Sequence, residues 1–304
     1  KNNGFKYIVD KNDPNLIEIQ QNINDFKKIN SIIKKLNPDF VFHLAAQPIV
    51  NEGYKKPLET IKTNILGTSN ILESVRQNKI KNCIIITSDK CYLNKENKKF
   101  FNENSQLGGD DIYSASKACA EIMTRSFFLS FKNKYTSLDT VRAGNIIGGG
   151  DFGEKRLLPD IFKSIYNKKT LQIRSPQSIR PWQNVLDVIN AYLLLPIYQK
   201  KRSYKFDFWN VGPNRKDSTL RVIDIINKLK KNNKKLKFFK RKGKFKESHF
   251  LLLNNNKIKS IGWKNKNSID NTLEQTARWY ELYYKLKFDE LKKFTKDLIE
   301  KNLC

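Results

Sequence analysis

Two stretches, FVFHLAA (40–46) and CIIITS (83–88), are apolar with almost no polar interruption. Such a strand must be covered on both faces, which is the signature of a parallel sheet flanked by helices. Around them the chain alternates strand and helix signals. LIEIQ (16–20) reads as a short strand, and DFKKINSIIKKLN (25–37) has helical spacing. Residues 58–77 place Leu58, Ile61, Ile65, Leu72 and Val75 on one helical face. A helix is predicted from about Ile112 to Phe131, with Asp110 or Asp111 as N-cap. LDTVRAGNIIG (138–148) is the next strand. The expected fold class is therefore α/β, a doubly wound Rossmann-type parallel sheet.

Beyond GGGD (148–151) the pattern loosens into a short helix and a short strand up to residue 182. VLDVINAYLLLPIYQ (185–199) is a buried helix and FDFWNVG (206–212) a further strand. Residues 213–304 mix helices with a basic block and close on LEQTARWYELYYKLKFDELKKF, read as one helix whose aromatic stripe packs against a core. The expected division is a dinucleotide-binding domain over 1–150, joined by 183–212, and a smaller substrate-binding domain from 151–182 and 213–304.

In such sheets ligands bind at the carboxyl ends of the strands. Gln47 follows one strand, Ser88–Asp89–Lys90 the next, and Asn145 the one after. Neighbours in a strand point to opposite faces. Asp89 and Lys90 can thus serve one ligand only if the strand has ended and the backbone turns. An acid beside a base can then exchange protons with neighbouring carbons; the alternative is a surface ion pair worth about 0–1 kcal/mol. Tyr113 and Lys117, in YSASK, are four apart on a helix and share a face. An ammonium beside a phenol lowers its pKa from about 10 and makes it a proton acceptor for an alcohol. His43 reads as a packed strand residue rather than a catalyst.

The net charge of +28 comes from 47 lysines and 11 arginines, scattered and without aromatic interleaving. That pattern describes a solvated lysine-rich surface better than a nucleic-acid platform. The densest block, KLKKNNKKLKFFKRKGKFK (228–246), keeps anion or nucleic-acid contact open. Four cysteines without a CxxC, and two histidines, argue against a metal site and for reduced thiols in a cytoplasmic protein. No apolar run approaches the roughly 18 residues of a membrane helix.

Together FVFHLAAQPIV, NILGTSNILE, ITSDKCY, YSASKACAE, RAGNIIGGGDFGEKRLLPD and RPWQNVLDVINAYLLL resemble the extended short-chain dehydrogenase/reductases, the NAD-dependent sugar-nucleotide epimerases and dehydratases. Within that family the Asp-Lys pair is similar to members acting on CDP-glucose, where others carry Asp-Glu. The resemblance implies a redox-neutral dehydration. Tyr113 would take the 4-hydroxyl proton, Ser88 would hold the 4-oxygen, Lys90 would remove the C5 proton and Asp89 would protonate the leaving 6-hydroxyl. Lys117 would hold the cofactor ribose and tune Tyr113. Asn22, Ile23, Ala45, Ala46 and Gln47 would meet NAD; Asn145, Arg156, Leu157, Pro159 and Arg180 would line the CDP-glucose site. Asn22 stands where the family has aspartate, and Asn184 where it tends to have histidine. No GxxGxxG precedes Asn22, so the family's first strand and glycine-rich turn are expected to be missing and NAD binding by this chain to be weak. The resemblance also implies a homodimer, packed through the helix near 58–77 and the YxxxK helix. Two alternatives remain open: another NDP-sugar dehydratase or 4-epimerase on the same scaffold, and an inactive basic nucleic-acid-binding fragment.

Overall fold

The two apolar runs lie side by side. In this computed structural model, which describes residues 13–131, 135–201, 204–213, 218–232, 235–240 and 248–303, β1 (Phe40–His43) pairs in parallel with β2 (Asn82–Ile86), Val41 opposite Cys83. β2 pairs with β3 (Ser137–Ala143), which is buried along its whole length. β4 (Ile146–Ile147), β5 (Leu171–Ile173), β6 (Ile179–Pro181) and β7 (Gln183–Asn184) lie outside the main sheet. β8 (Phe206–Val211) completes the order β1-β2-β3-β8, all parallel.

Helices cover both faces, as continuous apolar strands require. On one face α1 (Phe26–Leu36), capped by Asp25, packs Ile29 and Ile33 against Leu72, Val75 and Ile85. α2 (Val50–Lys55), α3 (Pro57–Ile61), a π-helical turn (Lys62–Leu66) and α4 (Gly67–Gln77) form one nearly continuous run. α5 (Ile112–Ser130) is capped by Asp111, whose side chain accepts from the Ser114 amide. After α6 (Leu157–Tyr166), α7 (Val185–Lys200) covers the other face, where Val188, Ala191 and Leu195 meet Trp209 and Trp263. A separate apolar body joins α6 to helices Val222–Asn232 and Ile269–Tyr284, with Trp279, Tyr280 and Tyr283 buried in it. The aromatic stripe is core packing. Gly149 makes this body possible, since a Cβ there would sit 2.0 Å from Trp279 Cγ.

Several expectations are corrected. Residues 16–20 form no strand; Leu16, Ile17 and Ile19 are exposed. Among the described residues nothing pairs with the outer edge of β1, and residues 16–20 do not fill it. Leu58 is exposed rather than inward. The side of that run turned inward carries Thr60, Asn64 and Thr68, spaced by four and all buried, because they are hydrogen-bonded to the loop after β1, to β1 and to α5. The last helix is two, Ile269–Tyr284 and Phe288–Leu303, separated at Leu286 by a left-handed backbone (φ 57°). Residues 233–234 and 241–246 of the basic block lie outside the described residues.

Candidate active site

Strand β2 stops at Ile86, and one more ladder bond, Thr87 N–H to Val141 O (2.8 Å), carries the chain to its edge. Ser88 then caps a 3-10 turn, Asp89–Cys91, its hydroxyl accepting from the Lys90 amide. This turn lets neighbouring residues face one cavity, a cleft of about 820 Å³ at the carboxyl ends of the strands. Its floor holds Ser88, Asp89, Lys90 and Tyr113, and its walls Asn145, Arg156, Leu157, Pro159 and Arg180.

The floor is hydrogen-bonded within itself. Ser88 Oγ donates to Asp89 Oδ1 (3.0 Å), while Asp89 Oδ2 is buried without a hydrogen-bond partner. Burial pushes the Asp89 carboxyl above the usual carboxylate range, against the pull of Lys90, Ser88 and Arg180. The shift is toward the acid form, the direction that a proton donor needs. Tyr113 is pushed up to about 12 by burial, opposed by the neighbouring Ser88 hydroxyl and the charge of Arg156. This corrects the expected lowering by Lys117. That amine turns instead to the end of β2, donating from Nζ to Ile86 O at 3.1 Å, and burial lowers it to about 8.

The residues assigned to a cofactor lie apart from this floor. Gln47 is committed locally: its Nε2 donates to Thr60 Oγ1 (2.8 Å), its Oε1 accepts from Ile49 N (2.5 Å), and its amide donates to Asn64 Oδ1 (2.8 Å). The loop Ala45–Ala46 is partly exposed beside it. Asn22 accepts from the Asn24 amide in a turn ahead of α1, and Ile23 packs where Gly67 leaves room, 2.5 Å from a hypothetical Cβ. Asn184 N-caps α7 and donates to Thr272 and Gln275, a structural use. Sequence reasoning passed over Asn51, buried and lining the cleft, and Arg174, which ends the apolar-alternating LQIR. It also passed over Lys155, whose ammonium lies 3.1 Å from Glu52 and ties the loop before α6 to α2 at the cleft.

His43 is 4% exposed, its Nε2 3.0 Å from Thr68 Oγ1. Thr68 donates its proton to Asn64 O (2.8 Å), so the ring nitrogen must donate and the neutral Nε2–H form is set. Burial, with Lys117 nearby, lowers His43 from 6.5 to about 4. The unfolded chain therefore binds the extra proton between those values, and stability falls as pH drops from 6.5 to 4. Acid unfolding profiles should show a loss of roughly 3 kcal/mol across that window that is absent in His43→Gln. Equal slopes for the two proteins would refute it.

Among the described residues no group of His, Cys, Asp and Glu could hold a metal, and no helix is long and apolar enough to cross a membrane. The GDP-mannose 4,6 dehydratase family model matches residues 5–276. A CDP-glucose 4,6-dehydratase of Salmonella typhimurium is 38% identical over 272 residues, covering 86% of this chain and 76% of the relative. Among solved structures, a UDP-glucose 4-epimerase of Thermotoga maritima superposes with TM-score 0.76 at 22% identity, covering 90% of this chain and 85% of the other. A dTDP-glucose 4,6-dehydratase of Bacillus anthracis in complex with NAD gives 0.73 at 19%, covering 89% and 81%. The sheet, the cleft and the matched span agree, and the chain belongs to the GDP-mannose 4,6 dehydratase family.

Proposed function

We propose that the protein dehydrates CDP-glucose to CDP-4-dehydro-6-deoxyglucose, releasing water. The observation carrying this reading is the convergence of Ser88, Asp89, Lys90 and Tyr113 on one cleft, with Asp89 biased toward its acid form. Tyr113 takes the 4-hydroxyl proton while Ser88 holds the oxygen. The C4 ketone acidifies C5, and Lys90, in its neutral form, removes that proton. Asp89 protonates the 6-oxygen as it leaves. NAD, when bound, would accept hydride from C4 and return it to C6, while the Lys90 ammonium gives a proton back to C5 and Tyr113 passes the 4-hydroxyl proton to solvent, from which Asp89 is recharged. Arg180 and Arg156 suit the pyrophosphate, with Arg174 on the same wall. The 38% identical relative, a CDP-glucose enzyme, supports the choice of nucleotide.

The residues present fit the nicotinamide end of NAD. The exposed loop Leu44–Ala45 after β1 has small side chains at Ala45 and Ala46, so a flat ring can reach the backbone, and Lys117 offers a donor at the end of β2. Asn22, Ile23 and Gln47 would lie toward the adenosine half. We place the dinucleotide on 1–150 with 183–212 and the sugar nucleotide on 151–182 and 213–304, in a cytoplasmic homodimer. Exposed Leu58, Leu66, Ile122 and Leu129 on the α3–α4 run and α5 supply apolar contact area for it; a monomeric mass by light scattering would count against the dimer. The test of function is turnover of CDP-glucose, with dTDP-glucose and GDP-mannose as controls. A 4-keto-6-deoxy product from CDP-glucose is expected. Preference for a control sugar, or epimerisation alone, would overturn the reading.

A further inference from the structure

Behind the cleft lies a charged cluster that no step above uses. Glu121 and Arg142 form an ion pair of 2.7 Å with side chains 1% and 3% exposed. Glu121 Oε2 also accepts from Thr140 (2.6 Å), and its Oε1 from the Thr87 hydroxyl. Arg142 continues to Tyr92 Oη and to Glu103 O, each at 2.9 Å, and Tyr92 donates to Asn210 (2.6 Å). A buried pair of this kind does not stabilise a fold by default, since desolvation opposes its attraction. Its position is informative instead. Thr87 directly precedes Ser88 and Asp89, and Glu121 is one helical turn from Lys117 on α5.

We infer that Glu121 is a positioning residue: its carboxylate, anchored by Arg142, Thr140 and Thr87, is the counter-charge that keeps Lys117 an ammonium ion and fixes the end of β2 beneath Ser88. Among the described residues, the other groups that bear on Lys117 offer it no second carboxylate. From β1 comes His43, lowered to about 4 and neutral. From the 3-10 turn comes the Cys91 thiol, which burial pushes well above its ordinary value. Among the described residues, Glu121 is the one acid that opposes the burial of Lys117. Lys117 and Glu121 reach adjacent residues at the end of β2, Ile86 O and the Thr87 hydroxyl. Without the carboxylate the buried amine would be left among neutral neighbours and would give up its proton.

The inference rests on the proposed role of Lys117 for its catalytic meaning, but its test needs no turnover. Competitive acylation of the full chain, read at Lys117 by peptide mass spectrometry from pH 6 to 10, follows the neutral amine. The midpoint should lie near 8 in the protein. In E121Q, which keeps the shape and removes the charge, it should move down by about one pH unit or more. E121D, which keeps the charge, should restore it. An unmoved midpoint in E121Q overturns the inference, because a packing role alone tolerates the amide. Should E121Q not fold, the protein itself decides: a midpoint below about 6.5 would mean the carboxylate does not hold the charge. A displaced midpoint in a protein that leaves CDP-glucose untouched would sink the dehydratase reading and leave this one standing.

Discussion

Lys90→Ala should lower kcat for dehydration of CDP-glucose by about a thousandfold while KM changes little. The residue lines the cleft beside Asp89, on the turn where β2 has ended. Its amine is proposed to meet the C5 proton, and the ground-state sugar gains little from it. Removing a base that acts only as C5–H breaks removes stabilisation of the transition state alone. Product formed in heavy water should carry deuterium at C5 with Lys90 present, and that incorporation should fall with the rate. A 4-epimerase on this scaffold has no use for an elimination base. Dehydration unchanged in Lys90→Ala would therefore remove Lys90 as the base, and sugar turnover that persists only as epimerisation would exclude dehydration.

Tyr113→Phe should cost a comparable factor, about 10²–10⁴, and should also alter the pH profile. Burial pushes the phenol up to about 12, so the base form is scarce at neutral pH. Deprotonation supplies the active form, hence kcat/KM should climb as pH rises, up to tenfold per unit on that limb. Phenylalanine has no proton to lose, and the residual activity should lack the slope. A profile that is flat in both proteins, or the same in both, would remove Tyr113 from the chemistry. Cations around the phenol decide where the limb ends. Arg156 is one of them in the free protein, while Lys117 is turned to Ile86 O.

The sheet was legible because the apolar run of β2 is buried almost throughout, as a covered parallel strand requires, and β3 beside it is buried along its whole length. The turn at Ser88 was legible for a different reason: two charged neighbours at the end of an apolar run have no place in a pleat. What escaped reading was polar burial. Thr60, Asn64 and Thr68 repeat every four residues, yet a helix face of small polar side chains reads as solvated unless their partners, His43, Gln47 and Ser116, are known. Glu121 likewise reads as a surface acid until β3 brings Arg142 and Thr140 beneath it. The opposite error came at 16–20, where β propensity was present but no ladder forms and the apolar side chains stay exposed.

The tie between Lys155 and Glu52 bears on how a guest gets in. Both groups are about one-third exposed, at 34% and 31%. A water-facing pair of this sort adds little stability, because solvent screens it and two long side chains must be ordered to hold it. Glu52 is therefore an easily replaced partner for a lysine that lines the cleft. An anion entering there can take over the ammonium at little cost in lost pairing.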